Sequence, residues 1–318
     1  MKRKKLSILL ITVAFLLVNV SCHNLNDVTI SNLEEFPDKY QRVTDNINID
    51  VDIAIDEDAE QILYSSKAKR IKINEAKMTE ELLENEEKID QWTYKDKNGR
   101  TFSINKDAIA FLSNSESCKV VQNEIEEVSL SKGTDIFREG KTSKLSSNNL
   151  KMDDLLISWG IDGFELYNRF EEDKSKEEWN VWCGYEKWQG IYVFSNKYYA
   201  GLSEEEAPLQ IIEINDKIEK IQLLYGYNFV KGNDIIKFQT FDKIADSIEK
   251  EYSLMISDNK YEAIRAELAF LVKDVHDQSD LDMEPVWVVT IREHGEDKET
   301  DCLEYQEVYS AVTARNIG

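Results

Sequence analysis

Asn46-Ile47-Asn48-Ile49-Asp50-Val51-Asp52-Ile53-Ala54-Ile55-Asp56 is the stretch that decides the fold class. Ile47, Ile49, Val51, Ile53 and Ile55 fall on one side of an extended chain. Asn48, Asp50, Asp52, Ala54 and Asp56 fall on the other, a period of two held over nine residues. A strand of this kind belongs to a sheet with one buried and one wet face. The acidic row lacks the Gly and closing Glu of a calcium loop, so it reads as a solvated face rather than a cation site.

Outward from this strand, the chain alternates between strand and helix patterns. Lys69 to Ile73 predicts a short strand, and Thr79 is placed to cap a helix with Glu80 and Glu81 in its first turn. Trp92 and Tyr94, then Asn98-Gly99, then Phe102 and Ile104 spell a hairpin. Ala108 to Leu112 adds a strand. Asn149 is placed to cap a helix over Leu150 to Trp159 that Gly160 closes, with Leu155, Leu156 and Trp159 buried. Ile161 to Phe170 reads as a strand. Leu209 to Ile214 and Ile218 to Phe229 read as a second hairpin, with Ile212 and Ile214 opposite Ile221 and Leu223 or their neighbours. Phe241, Ile244, Ala245, Ile248, Tyr252 and Met255 repeat at helical steps. Tyr261 to Val275 fits either periodicity and is read as strand because the β-branched run Val286 to Ile291 and the strand Leu303 to Thr313 follow it.

The fold class expected is therefore α+β, with antiparallel sheets each packed by one or two helices in two similar-sized lobes. The polar run from Ser113 to Asn149 sets the division. It gives a leader over 1–21, a tether over 22–40, a first domain over 41–145 and a second over 146–318.

The 318 residues carry 62 acidic against 39 basic side chains, a formal charge of −23, with 12 Gly and 3 Pro. That composition is globular. Four of the bases, Lys2, Arg3, Lys4 and Lys5, open the chain, so the rest is more acidic still. Such a surface repels phosphate backbones and anionic headgroups, which excludes nucleic acid as the expected partner.

The same four bases precede Leu6 to Val20, fifteen residues interrupted only by Ser7, Thr12 and Asn19. This is an export signal, too short for a membrane-spanning helix of about 20 apolar residues. Asn19-Val20-Ser21-Cys22, which ends it, resembles the lipobox of bacterial lipoproteins, with Asn19 standing where that family prefers Leu. The resemblance implies that Cys22 receives a diacylglycerol and becomes the first residue of a lipid-anchored protein on the extracytoplasmic side of the cell membrane. Cys118, Cys183 and Cys302 lie more than 60 residues apart with no CxxC, and are read as small apolar residues.

One segment invites a binding hypothesis. Trp179 to Tyr199 holds Trp179, Trp182, Trp188 and Tyr192, rings that could stack on sugars. Against this, Trp179, Val181, Cys183 and Tyr185 share one strand face and Ile191 and Val193 another, as in an ordinary hairpin contributing to a core. Core packing is the preferred reading.

Catalytic signatures do not emerge. The histidines are His23, His276 and His294, with no HExxH and no zinc spacing. Asp274, His276 and Asp277 form the densest local group, read as a surface turn. No nucleophile elbow, Walker loop or dinucleotide fingerprint occurs, and 62 acids are too many for any carboxylate pair to stand out. No catalytic residue, metal ligand or cofactor is assigned.

Taken together, several pieces resemble an uncharacterised family of Gram-positive, clostridial-type lipoproteins. They are the lipobox, the strand Asn46 to Asp56, Trp159-Gly160-Ile161-Asp162, Gly190-Ile191-Tyr192-Val193 and Phe238 to Ile248. Met283-Glu284-Pro285-Val286-Trp287-Val288-Val289 with Val308-Tyr309-Ser310-Ala311-Val312-Thr313 is similar to the strand pair closing PepSY-like and YycH/YycI-like extracytoplasmic modules. Ser310 stands where those modules often have Asn, and Arg315-Asn316 where they have a Gly turn. The resemblance implies a non-catalytic binding, sensory or regulatory accessory, tethered through Cys22, with a membrane or cell-wall protein as partner. The alternative is a glycan-binding or glycan-cleaving protein using the Trp179–Tyr199 segment.

Overall fold

Strand pairing dominates the architecture. The computed structural model describes residues 28–104, 109–112, 118–119, 121, 123, 149–172, 178–195, 207–255, 259–275, 278–295 and 302–317. Within them sixteen strands join one continuous, forked sheet and two more form a separate pair. Three helices pack against it, so the fold is compatible with α+β but mainly sheet.

The spine is β16 (Lys260–Lys273), antiparallel to β17 (Leu281–His294) over nearly its whole length. On its other side β16 runs parallel first to β3 (Ile47–Ala54) and then to β11 (Ile191–Ser195). The alternating stretch thus lies beside the core strand, with Ile47, Ile49 and Val51 buried. Beyond β3 lies β2 (Lys39–Val43), and β17 also pairs with β18 (Cys302–Ser310) and briefly with β4 (Tyr64–Arg70). Helix α3 (Phe241–Tyr252) lays Phe241, Ile244, Ala245, Ile248 and Tyr252 onto this sheet around Trp287, Phe270 and Leu268. Met255 lies past the helix and is exposed. The run from Tyr261 is strand as far as Lys273, two residues short of the expected Val275, because its apolar residues face neighbours on both sides of the sheet.

A second wing branches off through β10 (Glu178–Trp188), which pairs with β9 (Phe164–Glu172), β11 and β12 (Leu209–Ile214). From β12 the order continues through β13 (Lys217–Leu223), β8 (Ile109–Leu112), β7 (Thr101–Ile104), β6 (Thr93–Lys95) and β5 (Glu87–Lys88). Helices α1 (Glu75–Leu82) and α2 (Asn149–Ser158) cover one face through Met78, Leu82, Met152 and Leu156.

Several expectations need correction. The division of 41–145 from 146–318 does not separate hydrogen-bonded units, since β3 lies beside β16 and β8 beside β13. Residues 28–40 of the expected tether are folded. β1 (Thr29–Ile30) pairs with β15 (Phe238–Gln239), and Ile30, Leu33 and Phe36 are buried. Their three-residue spacing was hidden by the polar residues between them. Helix α1 begins four residues before Thr79, because Asn74 caps it by accepting from Lys77 N at 3.3 Å. Thr79 sits buried within it, its hydroxyl donating back to Glu75 O. The run Ile218 to Phe229 is two strands, β13 and β14 (Tyr227–Ile235), separated at Gly226. In the β12–β13 hairpin Ile211 faces Ile221 and Leu209 faces Leu223, while Ile212 faces Lys220. The hairpins Thr93 to Ile104 and β10–β11 stand as expected.

Candidate functional site

A cavity of about 390 Å³ opens where α1 and α2 meet β10, β12 and β13. Its apolar floor is Leu82, Met152, Leu155, Trp159, Trp182 and Ile218. Glu81, Glu213, Asp216, Arg100, Lys151 and Lys217 supply its charge.

Local structure explains why these residues meet. Gly160 ends α2 with φ +81°, letting Ile161 N donate to Leu156 O and Gly160 N to Ile157 O, each at 2.9 Å. A Cβ on Gly160 would stand 2.4 Å from Lys72 O, so only glycine lets the end of α2 approach the extended segment between β4 and α1 so closely. Asn74 N then donates to Trp159 O at 2.7 Å, locking the start of α1 to the end of α2. As a result the Trp159 indole N–H donates to Glu81 Oε2 at 2.5 Å. On the facing sheet Asn180 stands opposite Glu213 in register. Asn180 Nδ2 donates to Glu213 Oε2 at 3.1 Å and Trp182 Nε1 to the same oxygen at 3.4 Å. Both carboxylates are therefore oriented by indoles whose rings are buried.

The cations are less available than their number suggests. Arg100 Nε donates to Asp96 Oδ2 at 2.7 Å, and Asp96 also accepts from the backbone of Asn98 and Arg100, which fixes the hairpin turn. Burial opposes the Asp96 charge, yet the guanidinium and these N–H groups hold its carboxyl below the usual range. Lys217 lies 3.4 Å from Glu219. Lys151 has no carboxylate at ion-pair distance among the described residues. Lys77 approaches Glu81 only at 3.9 Å, with both side chains well exposed.

The four aromatic candidates do not form a platform. Trp179 and Tyr192 are buried in one cluster with Cys118, Cys183 and Tyr185, and Trp182 is buried on the opposite face of β10. Trp188 is half-buried, donating to Ser66 Oγ at 2.7 Å and packing on Phe229 at 5.3 Å. The Tyr192 hydroxyl pairs with that of Tyr167 at 2.6 Å, under Lys187. Successive strand residues point to opposite faces, so rings adjacent in sequence enter different cores. Cys22, His23, His276 and Asp277 lie outside the described residues. Asp274 is paired with Arg70 and accepts from the Tyr227 hydroxyl at 3.0 Å, and His294 meets Glu262 at 3.1 Å. Cys118 and Cys183 are buried, as expected of small apolar residues, whereas Cys302 is exposed. Among the described residues no group of three or more His, Cys, Asp or Glu could hold a metal ion, and no helix is long and apolar enough to cross a membrane.

Sequence reasoning did not find Glu81, Lys151, Glu213 or Asp216. Trp159 was recognised only as a core residue. They come from three distant segments, α1, α2 with the residue that follows it, and the end of β12 with its turn, and no spacing connects those segments.

No protein-family model matches the chain, and no curated protein matches it. Among solved structures it is similar to an uncharacterized protein from Eubacterium rectale ATCC 33656, 17% identical, covering 92% of this chain and 97% of that one, with a TM-score of 0.53. A likeness at that identity shows the fold alone.

Proposed function

We propose that this protein is an extracytoplasmic lipoprotein, held to the cell membrane by lipid on Cys22, that works as a non-catalytic binding, sensory or regulatory accessory with the α1–α2 cleft as its ligand site. The leader and Asn19-Val20-Ser21-Cys22 support the location. The binding role rests on one observation: Glu81 and Glu213 are each held by a buried indole N–H at the edge of an apolar floor. Carboxylates fixed in advance lose little entropy when a ligand engages them, which suits recognition. The buried positions of Trp179, Trp182 and Tyr192 remove the basis for a sugar-stacking platform on that segment.

Fractionation of cells expressing the full chain, with intact-mass analysis, tests the tether. The wild type is expected in the membrane fraction with an acyl mass on Cys22, and Cys22→Ala outside it. An unacylated protein in the cytosol with its leader intact would overturn the reading.

A further inference from the structure

We propose that the α1–α2 cleft takes a small organic cation, a protonated amine carried on an apolar body. This rests on reading the cleft as a ligand site and adds the ligand's chemical class. The volume, about 390 Å³, lies at the low end of ligand pockets, which run from about 300 to 1,000 Å³, so the occupant is a small molecule rather than a chain segment. Its body would lie against Leu82, Met152, Leu155 and Ile218 and the indole edges of Trp159 and Trp182.

Charge selects the head group. The lining holds three acids and three bases, but the bases are not equivalent. Arg100, itself buried, is committed to Asp96, and Lys217 to Glu219. Neither Asp96 nor Glu219 lines the cavity, so each of these cations is neutralised from behind. Against the one remaining cation, Lys151, stand Glu81, Glu213 and Asp216. Glu213 keeps Oε1 without a hydrogen bond among the described residues, and Asp216 lies on the two-residue turn between β12 and β13 with no ion-pair partner among them. An incoming ammonium would find fixed acceptors there, and the charge-assisted bonds it made would be the stronger kind. The formal charge of −23 draws cations toward the surface and repels anions.

The test uses the full-length acylated protein in detergent, titrated by calorimetry with 2-phenylethylamine, the neutral 2-phenylethanol and the anionic 3-phenylpropionate. The amine is expected to bind at least about tenfold more tightly than either isostere. Glu213→Gln is expected to weaken it by about tenfold. Because Glu213 accepts two internal hydrogen bonds, Asp216→Asn on the exposed turn is the second variant, expected to weaken binding several-fold, and Lys151→Ala is expected to tighten it. Equal or tighter binding of the alcohol or the carboxylate overturns the cationic ligand and leaves the cleft as a binding site. No binding by any of the three also overturns it, and membrane fractionation of the Cys22→Ala protein judges the tether separately. Amine binding unchanged in both Glu213→Gln and Asp216→Asn places the amine elsewhere and overturns the proposal.

Discussion

The two helix-covered faces of the sheet are built from similar residues and finished differently. Over β16 and β17, the 12-residue α3 presents Phe241, Ile244, Ala245, Ile248 and Tyr252 as an unbroken stripe, and the sheet answers with Ala266, Leu268, Phe270, Trp287 and Val289, all buried. Over β10, β12 and β13, two shorter helices of 8 and 10 residues share the work and leave a charged cavity between themselves and the sheet. One long stripe closes a face. Two short ones, held by a glycine contact and a single backbone bond, leave a gap whose walls carry charge. Tight packing is concentrated on the first face, and the recognition proposed for this protein on the second.

The closed face should give the largest effect when broken. Trp287 is fully buried against Phe36 at 5.1 Å and Phe241 at 5.6 Å. Trp287→Ala is expected to cost about 3–5 kcal/mol in denaturant unfolding. Its Nε1 has no hydrogen-bond partner among the described residues, so Trp287→Phe should be milder than an indole deletion usually is. A loss below about 1 kcal/mol for Trp287→Ala would mean that α3 is not the closing element.

On the open face the vulnerable point is Gly160. Gly160→Ala places a methyl against Lys72 O and forces a non-glycine residue to φ +81°, so about 1–3 kcal/mol is expected. The specific readout is the Trp159–Glu81 hydrogen bond, whose loss should appear as a shifted indole N–H resonance. A destabilised protein with that resonance unmoved would show that the α1–α2 contact does not set the cleft.

Much of the closed face was legible in the sequence and little of the open one. The alternation of Ile47 to Ile55, the helical steps from Phe241 to Tyr252 and the β-branched run Val286 to Ile291 are local patterns created by burying one face, so composition and spacing reveal them. The cleft depends on long-range register, such as Asn180 opposite Glu213 and Asn74 N meeting Trp159 O, which no local period encodes. Thr79 misled because its spacing to Glu81 imitates a cap, while the true cap, Asn74, precedes a weakly apolar turn. In the aromatic segment, where core packing is the preferred sequence reading, Trp179 and Trp182 are both buried but enter different cores, so their proximity in sequence carries no shared surface.

Between the two faces lies a seam, and its titration distinguishes them further. Glu186 of β10 is fully buried, accepts from Tyr227 N of β14 at 2.5 Å, and keeps Oε2 without a partner among the described residues. Burial pushes its carboxyl well above the ordinary value. The folded state therefore retains a proton that the unfolded chain releases near pH 4.3, and stability falls as pH rises from there toward the folded value. Glu186→Gln should remove this part of the slope, so that the variant loses less stability than the wild type between pH 5 and pH 7 in denaturant titrations. Parallel slopes in the two proteins would show that Glu186 ionises in the folded state like an exposed acid.

The smallest effect belongs to the outer side of α3, where Arg42 of β2 meets Asp246 at 2.7 Å, Asp242 at 3.3 Å and Glu249 at 3.6 Å. Three carboxylates around one guanidinium look like a clamp on the helix, but all three are largely exposed and repel one another, so solvent screening offsets most of the Coulomb gain. Arg42 also lies over the Tyr40 ring at 5.7 Å, and that packing contact persists when salt is added. Arg42→Ala is expected to cost under about 1 kcal/mol at low ionic strength and less at high. Arg42→Met, which keeps the apolar stem over Tyr40, should recover the salt-independent share. A cost that is large and indifferent to salt would transfer part of the hold on α3 from its buried stripe to this surface fork, and the contrast between the closed and open faces would then rest on charge as well as on packing.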